Sequence, residues 1–287
     1  MRKSFVLALI FQFSIFNFQF AFSQVASSSE MLTPRKVGTD DMLSVLAGDV
    51  LDGDYEVEVE SSSSMFRIVN SVLHVKDGKM TATLTMSGKG YSKLFLGTGD
   101  EASESKGEGE ILPVAQADGP VVFEIPVSAL NSSIQCAAFS KKKGKWYDRE
   151  ILFDASSLSA EKVLVSPKIE QINLKDGNYF VDAELTGGSG RAKITTPAKV
   201  TVKDGKAFAI IEWSSPNFDY MKVNHERYDA DTKILEKGGN STFRIPVYAF
   251  DKKVPVIADT VAMSKAHEIQ YWIQFDSKSA KKTRKKW

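Results

Sequence analysis

The chain has 287 residues, 37 Lys and Arg against 36 Asp and Glu, and one cysteine. A net charge of +1 excludes a general electrostatic pull toward nucleic acid. A single cysteine excludes a disulfide framework, so any folded unit must be held by its own apolar core.

The first segment carries Met1-Arg2-Lys3, an apolar run over 5–22, and the small residues Ala21 and Ser23 before Gln24. A charged start, apolar middle and small-residue exit read as a secretory signal peptide over 1–23, or, uncleaved, as a membrane anchor. The chain is therefore expected to be exported, with periplasmic, cell-surface and secreted locations all open and no membrane span after cleavage. Residues 24–50 are poorly periodic, and Ala26-Ser27-Ser28-Ser29 reads as linker. A short helix fits 40–50.

From Leu51 onward the pattern changes to alternation. Period two over 55–60, 71–75 and 80–86 predicts half-buried strands, with Asp77-Gly78 as the hairpin turn between the last two. Segments 121–127 and 150–153 supply later strands, Pro126 suiting an edge or a bulge. Cys136, in the apolar run 134–139, reads as a small buried hydrophobe rather than a reactive thiol. Residues 156–175 read as a second linker. Strands are then expected over 179–185, 198–202, 207–213, 243–248 and 270–275, and the basic stretch 278–287 reads as a solvated tail with weak affinity for anionic surface polymers or lipid headgroups.

The second half restates the first. Asp52-Gly53-Asp54-Tyr55 recurs as Asp176-Gly177-Asn178-Tyr179, Val75-Lys76-Asp77-Gly78-Lys79 as Val202-Lys203-Asp204-Gly205-Lys206, Phe123-Glu124-Ile125-Pro126-Val127 as Phe243-Arg244-Ile245-Pro246-Val247, and Phe153-Asp154 as Phe275-Asp276. Four anchors in one order at a nearly constant offset define two homologous modules, 51–155 and 176–277. Short strands with frequent turn signals make each an antiparallel β-sandwich, and the chain all-β.

No G-x-S-x-G, H-E-x-x-H, P-loop, CxxC pair or calcium loop is present, and three histidines are few for two catalytic sites. A non-catalytic binding protein is expected. Each module has a Tyr-x-Lys-apolar element (Tyr91-Ser92-Lys93-Leu94; Tyr220-Met221-Lys222-Val223) and an aromatic-rich stretch before its final strand (145–149; 263–272). Such rings either cap the sandwich end or line a pocket for a flat apolar ligand.

The ordered set Asp-Gly-x-Tyr, Val-Lys-Asp-Gly-Lys, Phe-x-Ile-Pro-Val and terminal Phe-Asp resembles the NEAT domain, the near-iron-transporter module of bacterial surface haem proteins. The resemblance covers both modules. It implies an immunoglobulin-like sandwich with a haem slot at one end, covered by Ser and Met of an early loop, with a Tyr-x-x-x-Tyr on the late strand whose first Tyr ligates iron. On that basis Ser64, Met65 and Tyr147 are the candidates in module one, and Tyr220, Met221, Met263, His267 and Tyr271 in module two, with Tyr147 or His267 as the iron ligand. Module one has Ile151 where a second Tyr is expected, and Tyr147 lies closer to Phe153-Asp154 than the family spacing. Module two has Gly187-Gly188-Ser189-Gly190-Arg191 without Met in its covering loop, and His267 in place of the ligand Tyr. The expected partners are haem or a haemoprotein, with haem as the cofactor and other envelope proteins as further partners, and the expected role is haem or iron acquisition. The alternative is an envelope adhesion or structural protein that uses the sandwiches as protein-interaction modules.

Overall fold

In a computed structural model, residues 25–114, 119–164, 173–230, 239–261 and 267–287 are described. The signal peptide expected over 1–23 lies outside them. Among the described residues no helix is long and apolar enough to cross a membrane.

The first alternating segment does not stay in one sheet. β1 (Gly53–Glu56) pairs with β3 (Ile68–Lys76), and β2 (Glu58–Ser61) pairs with β8 (Lys145–Asp154). The chain crosses between sheets at Val57, which is buried and donates its N–H to the Ser71 carbonyl. The period-two pattern survives the crossing because Tyr55, Val57 and Val59 all pack on the core. β4 (Lys79–Met86) and β6 (Val122–Pro126) complete the first sheet in the order β1-β3-β4-β6. β5 (Tyr91–Leu96) and β7 (Ile134–Ser140) complete the second in the order β2-β8-β7-β5. Pro126 falls on the edge strand β6, where its missing N–H costs no ladder bond. Between the sheets lie Phe66, Leu73, Leu84, Phe123, Ile125, Ile151 and Phe153.

A short helix, α1 (Gly99–Glu104), lies against the outside of the second sheet. Thr98 caps it, its hydroxyl accepting from Glu101 N–H at 3.2 Å while the Glu101 carboxylate accepts from Thr98 N–H at 2.7 Å. Ala102 of α1 packs with Ala137 and Trp146, so this part of the sheet is buried on both faces.

Module two repeats the plan. β9 (Gly177–Val181) and β10 (Ala183–Gly187) part at Asp182 and join different sheets, as β1 and β2 do. β11 (Ala198–Lys203), β12 (Lys206–Glu212) and β15 (Thr242–Val247) form one sheet with β9; β13 (Phe218–Val223), β14 (Glu226–Asp229), β16 (Val254–Thr260) and β17 (His267–Phe275) form the other with β10. The pairings between these strands are all antiparallel among the described residues. The chain thus holds two tandem β-sandwiches.

Two segments expected to be loose are built into the fold. Residues 278–287 contain β18 (Lys281–Thr283), which adds to β9 as a fifth strand, and Trp287 packs on Phe180 with ring centroids 5.2 Å apart. A strand made of Lys-Lys-Thr has no apolar signature. It forms because β9 is an edge whose backbone groups want partners. Residues 25–50 run as a strap. Ala26 N–H bonds the Trp146 carbonyl at 2.8 Å, Arg35 N–H the Ser62 carbonyl at 2.8 Å, and Val45 exchanges both backbone bonds with Leu130. The strap also reaches module two: Lys253 N–H bonds the Asp41 carbonyl at 2.9 Å, and Leu43 is buried with Ala249 and Val254.

Candidate functional site

The two modules can be compared position by position through their strand registers. Arg149 faces Cys136 across β7–β8, and Tyr271 faces Val256 across β16–β17. Lys145 therefore stands where His267 does, and Tyr147 where Ile269 does. Tyr147 falls midway between the two places at which module two carries His267 and Tyr271.

In module one the predicted residues do not converge. Tyr147 is 9% exposed, and the Arg149 guanidinium lies over its ring at 5.2 Å. Arg149 is itself buried; it donates to the Asp148 carbonyl at 2.6 Å, and its Nε finds no acceptor among the described residues. Ser64 is exposed and Met65 is 67% exposed, on a loop pinned by the Tyr91 hydroxyl donating to the Met65 carbonyl at 3.3 Å. The next residue, Phe66, fills the opening and meets Tyr91 edge to face at 5.3 Å. Lys145, on the outer end of β8, is tied to Glu30 of the strap at 2.9 Å, which holds that carboxyl down at about 2. A polar cleft of about 600 Å³ lies beside this loop, lined by Arg35, Lys36, Ser63, Ser64, Phe66 and Arg67 among others, away from Tyr147.

Module two brings more together. Along β17, His267, Ile269 and Tyr271 alternate onto the face that continues into the core as Ile273 and Phe275. His267 is exposed at the start of β17, and Tyr271, four residues inward and about 13 Å along the strand, is 2% exposed. Behind Tyr271 sits a cluster: Trp213 meets its ring edge-on at 5.2 Å, stacks on Phe218 at 4.0 Å, and points its Nε1–H at the Met221 sulfur at 3.4 Å. Over Tyr271 passes the loop at Gly187 and Gly188, both with positive φ. A Cβ on Gly188 would come within 2.6 Å of the Tyr271 ring, so only glycine permits this approach. Burial raises the Tyr271 phenol above its ordinary pKa and keeps it protonated.

Tyr220 points the other way. Met221 faces the core, so Tyr220 and Lys222 lie on the outer face of the sheet. There the Tyr220 hydroxyl donates to Glu268 at 2.7 Å, which pushes its pKa up to about 12, and Arg227 stacks on its ring at 3.9 Å. Lys222 bonds the same Glu268 at 2.6 Å and also reaches Glu161, near the end of module one, at 3.3 Å. Met263 lies outside the described residues.

One site was missed. A cleft of about 330 Å³ opens between the modules, lined by Met42, Leu43 and Val45 of the strap, Leu158 and Val163, and Pro255, Gln270 and Trp272 of module two. Strand parity could have found it: Trp272 is adjacent to the inward Tyr271 and must face out, and an outward tryptophan calls for a cover.

No protein-family model and no curated protein matches this chain. Solved structures similar to it include the NEAT5 domain of IsdX2, a B. anthracis hemophore, in complex with heme, at 22% identity and a TM-score of 0.28. A mutant of the same IsdX2 domain, also in complex with heme, gives 22% identity and a TM-score of 0.29. Each match covers 36% of this chain and 97% of the other.

Proposed function

We propose that this chain is an exported, non-catalytic binding protein that takes haem through module two, at the end where the loop 187–191 meets β17. The observation that carries the proposal is His267, exposed on the same strand face as the buried Tyr271. Among the described residues no three His, Cys, Asp or Glu side chains cluster as ligands for a bare metal ion. A single imidazole is a donor set suited to iron already held by a porphyrin. His267 is the ligand in this reading. Tyr271, kept neutral, contributes its ring and its hydroxyl, with Trp213, Phe218 and Met221 as the apolar backing. The ordered motifs that resemble the NEAT domain support the same reading. Module one lacks the equivalents, carrying Lys145 and Arg149 at the two positions.

Haem bound there supplies a coloured, redox-capable iron as cargo, and the chain's own residues hold it and exclude water. Hemin titrated into the purified protein is expected to give a Soret shift that His267→Ala abolishes and Tyr271→Phe weakens, while Tyr147→Ala leaves it unchanged. No shift, or a shift indifferent to His267, would remove the haem reading. What would then remain is the envelope adhesion or structural role, which the strap favours by fastening both modules together.

A further inference from the structure

One matching cross-strand row on the outer faces of the two duplicated modules carries opposite charge. In module one a single cross-strand row reads Glu56, Val72, Thr83, Glu124 over β1-β3-β4-β6. The matching row in module two reads Lys281, Phe180, Lys199, Ile210, Arg244 over β18-β9-β11-β12-β15. The three cations are exposed, and among the described residues no ion pair ties any of them to an acid. Lys203 and Lys206 extend the patch at the hairpin end, as Lys76 and Lys79 do at the matching turn of module one, and Arg284, Lys285 and Lys286 extend it beyond β18. The acids bordering it are Glu212, two residues further along β12, Asp182, two residues past Phe180, and Asp176 and Asp204, where the Asp176 carboxylate accepts from the Asp204 N–H at 3.1 Å. The net charge of +1 for the whole chain conceals this face.

The surface is also partly apolar. Phe180 carries Trp287 on its ring, and Phe208 carries Arg244 at 5.2 Å. The row alternates a cation with an apolar side chain, and strands about 4.8 Å apart put neighbouring cations about 10 Å apart. Nucleic acid presents its charge more densely, about one phosphate per 3.4 Å of each duplex strand, and it favours open rings for base stacking. Here Phe180 and Phe208 are already covered. A chain of sugars with one acid group per disaccharide-sized repeat fits better, its carboxylates on the cations and its C–H faces on Ile210 and Trp287.

We infer that the outer face of the β18-β9-β11-β12-β15 sheet is a docking surface for an acidic polysaccharide. β18 completes it: without that strand Lys281 and the Trp287 ring would not be on the sheet. The inference is independent of the haem reading, because the residues lie on the opposite sheet from His267.

The test uses the full chain and three probes: size-defined hyaluronan, oligo(dT), and phosphatidylserine vesicles. Hyaluronan is expected to bind with an affinity that falls as salt rises. A Lys199→Glu/Lys281→Glu/Arg244→Glu variant, altered only at exposed positions, should weaken binding tenfold or more while its circular dichroism and hemin titration stay as in the parent. Glu56→Gln/Glu124→Gln in module one should leave hyaluronan binding unchanged. Absence of hyaluronan binding, binding that the triple variant retains, or tighter binding of oligo(dT) or the vesicles than of hyaluronan would each overturn the inference.

Discussion

Arg149 and Tyr271 occupy one position of a duplicated fold, each buried on the inward side of its late strand. Tyr271 rests on Trp213, whereas Arg149 keeps an Nε with no hydrogen-bond partner among the described residues. An unsatisfied buried polar group costs about 1–3 kcal/mol. The stacking of the buried guanidinium on Tyr147 returns about 2 kcal/mol, so the two roughly offset. Arg149→Leu is therefore expected to hold or raise the thermal midpoint of module one, and a fall of several degrees by calorimetry would show that the guanidinium is satisfied. The Cys136 thiol, already pushed up to about 12 by burial, loses the nearby charge that lowers it and should react still more slowly with thiol reagents.

Asp259 offers a prediction with a pH sign. Its carboxylate is 1% exposed, and burial, followed by the neighbouring Asp219, raises its pKa. An acid whose folded pKa lies above the unfolded value favours the folded state when protonated and opposes it when ionised. Stability therefore falls as pH climbs from the unfolded value near 3.8 through the folded one. Asp259→Asn should raise the midpoint at pH 7, by about 2–4 °C for each kcal/mol gained, and should give no gain below pH 3.8. A melt that drops at pH 7 would mean that the ionised carboxylate has a stabilising partner.

Hairpins with one wet face were legible in the sequence because alternation and an Asp-Gly turn both marked them. β7 was not, because Cys136, Ala137 and Ala138 are buried in succession: α1 covers one face and the core the other. β16 is buried almost throughout and lost its alternation in the same way. The duplication fixes the anchors, and the short spacing from Tyr147 to Phe153 is visible in the sequence; the register gives it its meaning, setting Tyr147 opposite Ala138 as Ile269 is set opposite Ala258. Tyr220 and Met221 are both candidates in the sequence, but adjacent strand residues face opposite sides, and only Met221 is in the core. The strap and β18 were invisible because backbone hydrogen bonds hold most of their contacts, and those carry no residue signature.

Trp213 is the largest fully buried side chain of module two, joined to Phe218, Tyr271 and Met221. Trp213→Ala is expected to cost about 3–5 kcal/mol. Trp272→Ala, on the half-covered cleft wall, should cost less, since a partly exposed ring has less burial to lose. Urea unfolding of the two variants ranks them, and equal losses would mean that the cleft between the modules is as well packed as the core.

Asn131 tests whether the strap couples the modules. Its Nδ2 donates to the Leu43 carbonyl at 2.8 Å, and its Oδ1 accepts from the Ala155 N–H at 2.8 Å. One side chain thus links the strap to the end of β8, while Leu43 on the same strap is buried against Ala249 and Val254 of module two. Asn131→Ala strands a carbonyl and an N–H and should cost about 1–3 kcal/mol. If the strap binds the modules into one cooperative unit, a single calorimetric transition in the parent should split or broaden in the variant, with module two losing protection from hydrogen exchange at 249–254. A variant whose transition moves down intact, with exchange at 249–254 unchanged, would confine the strap's role to module one.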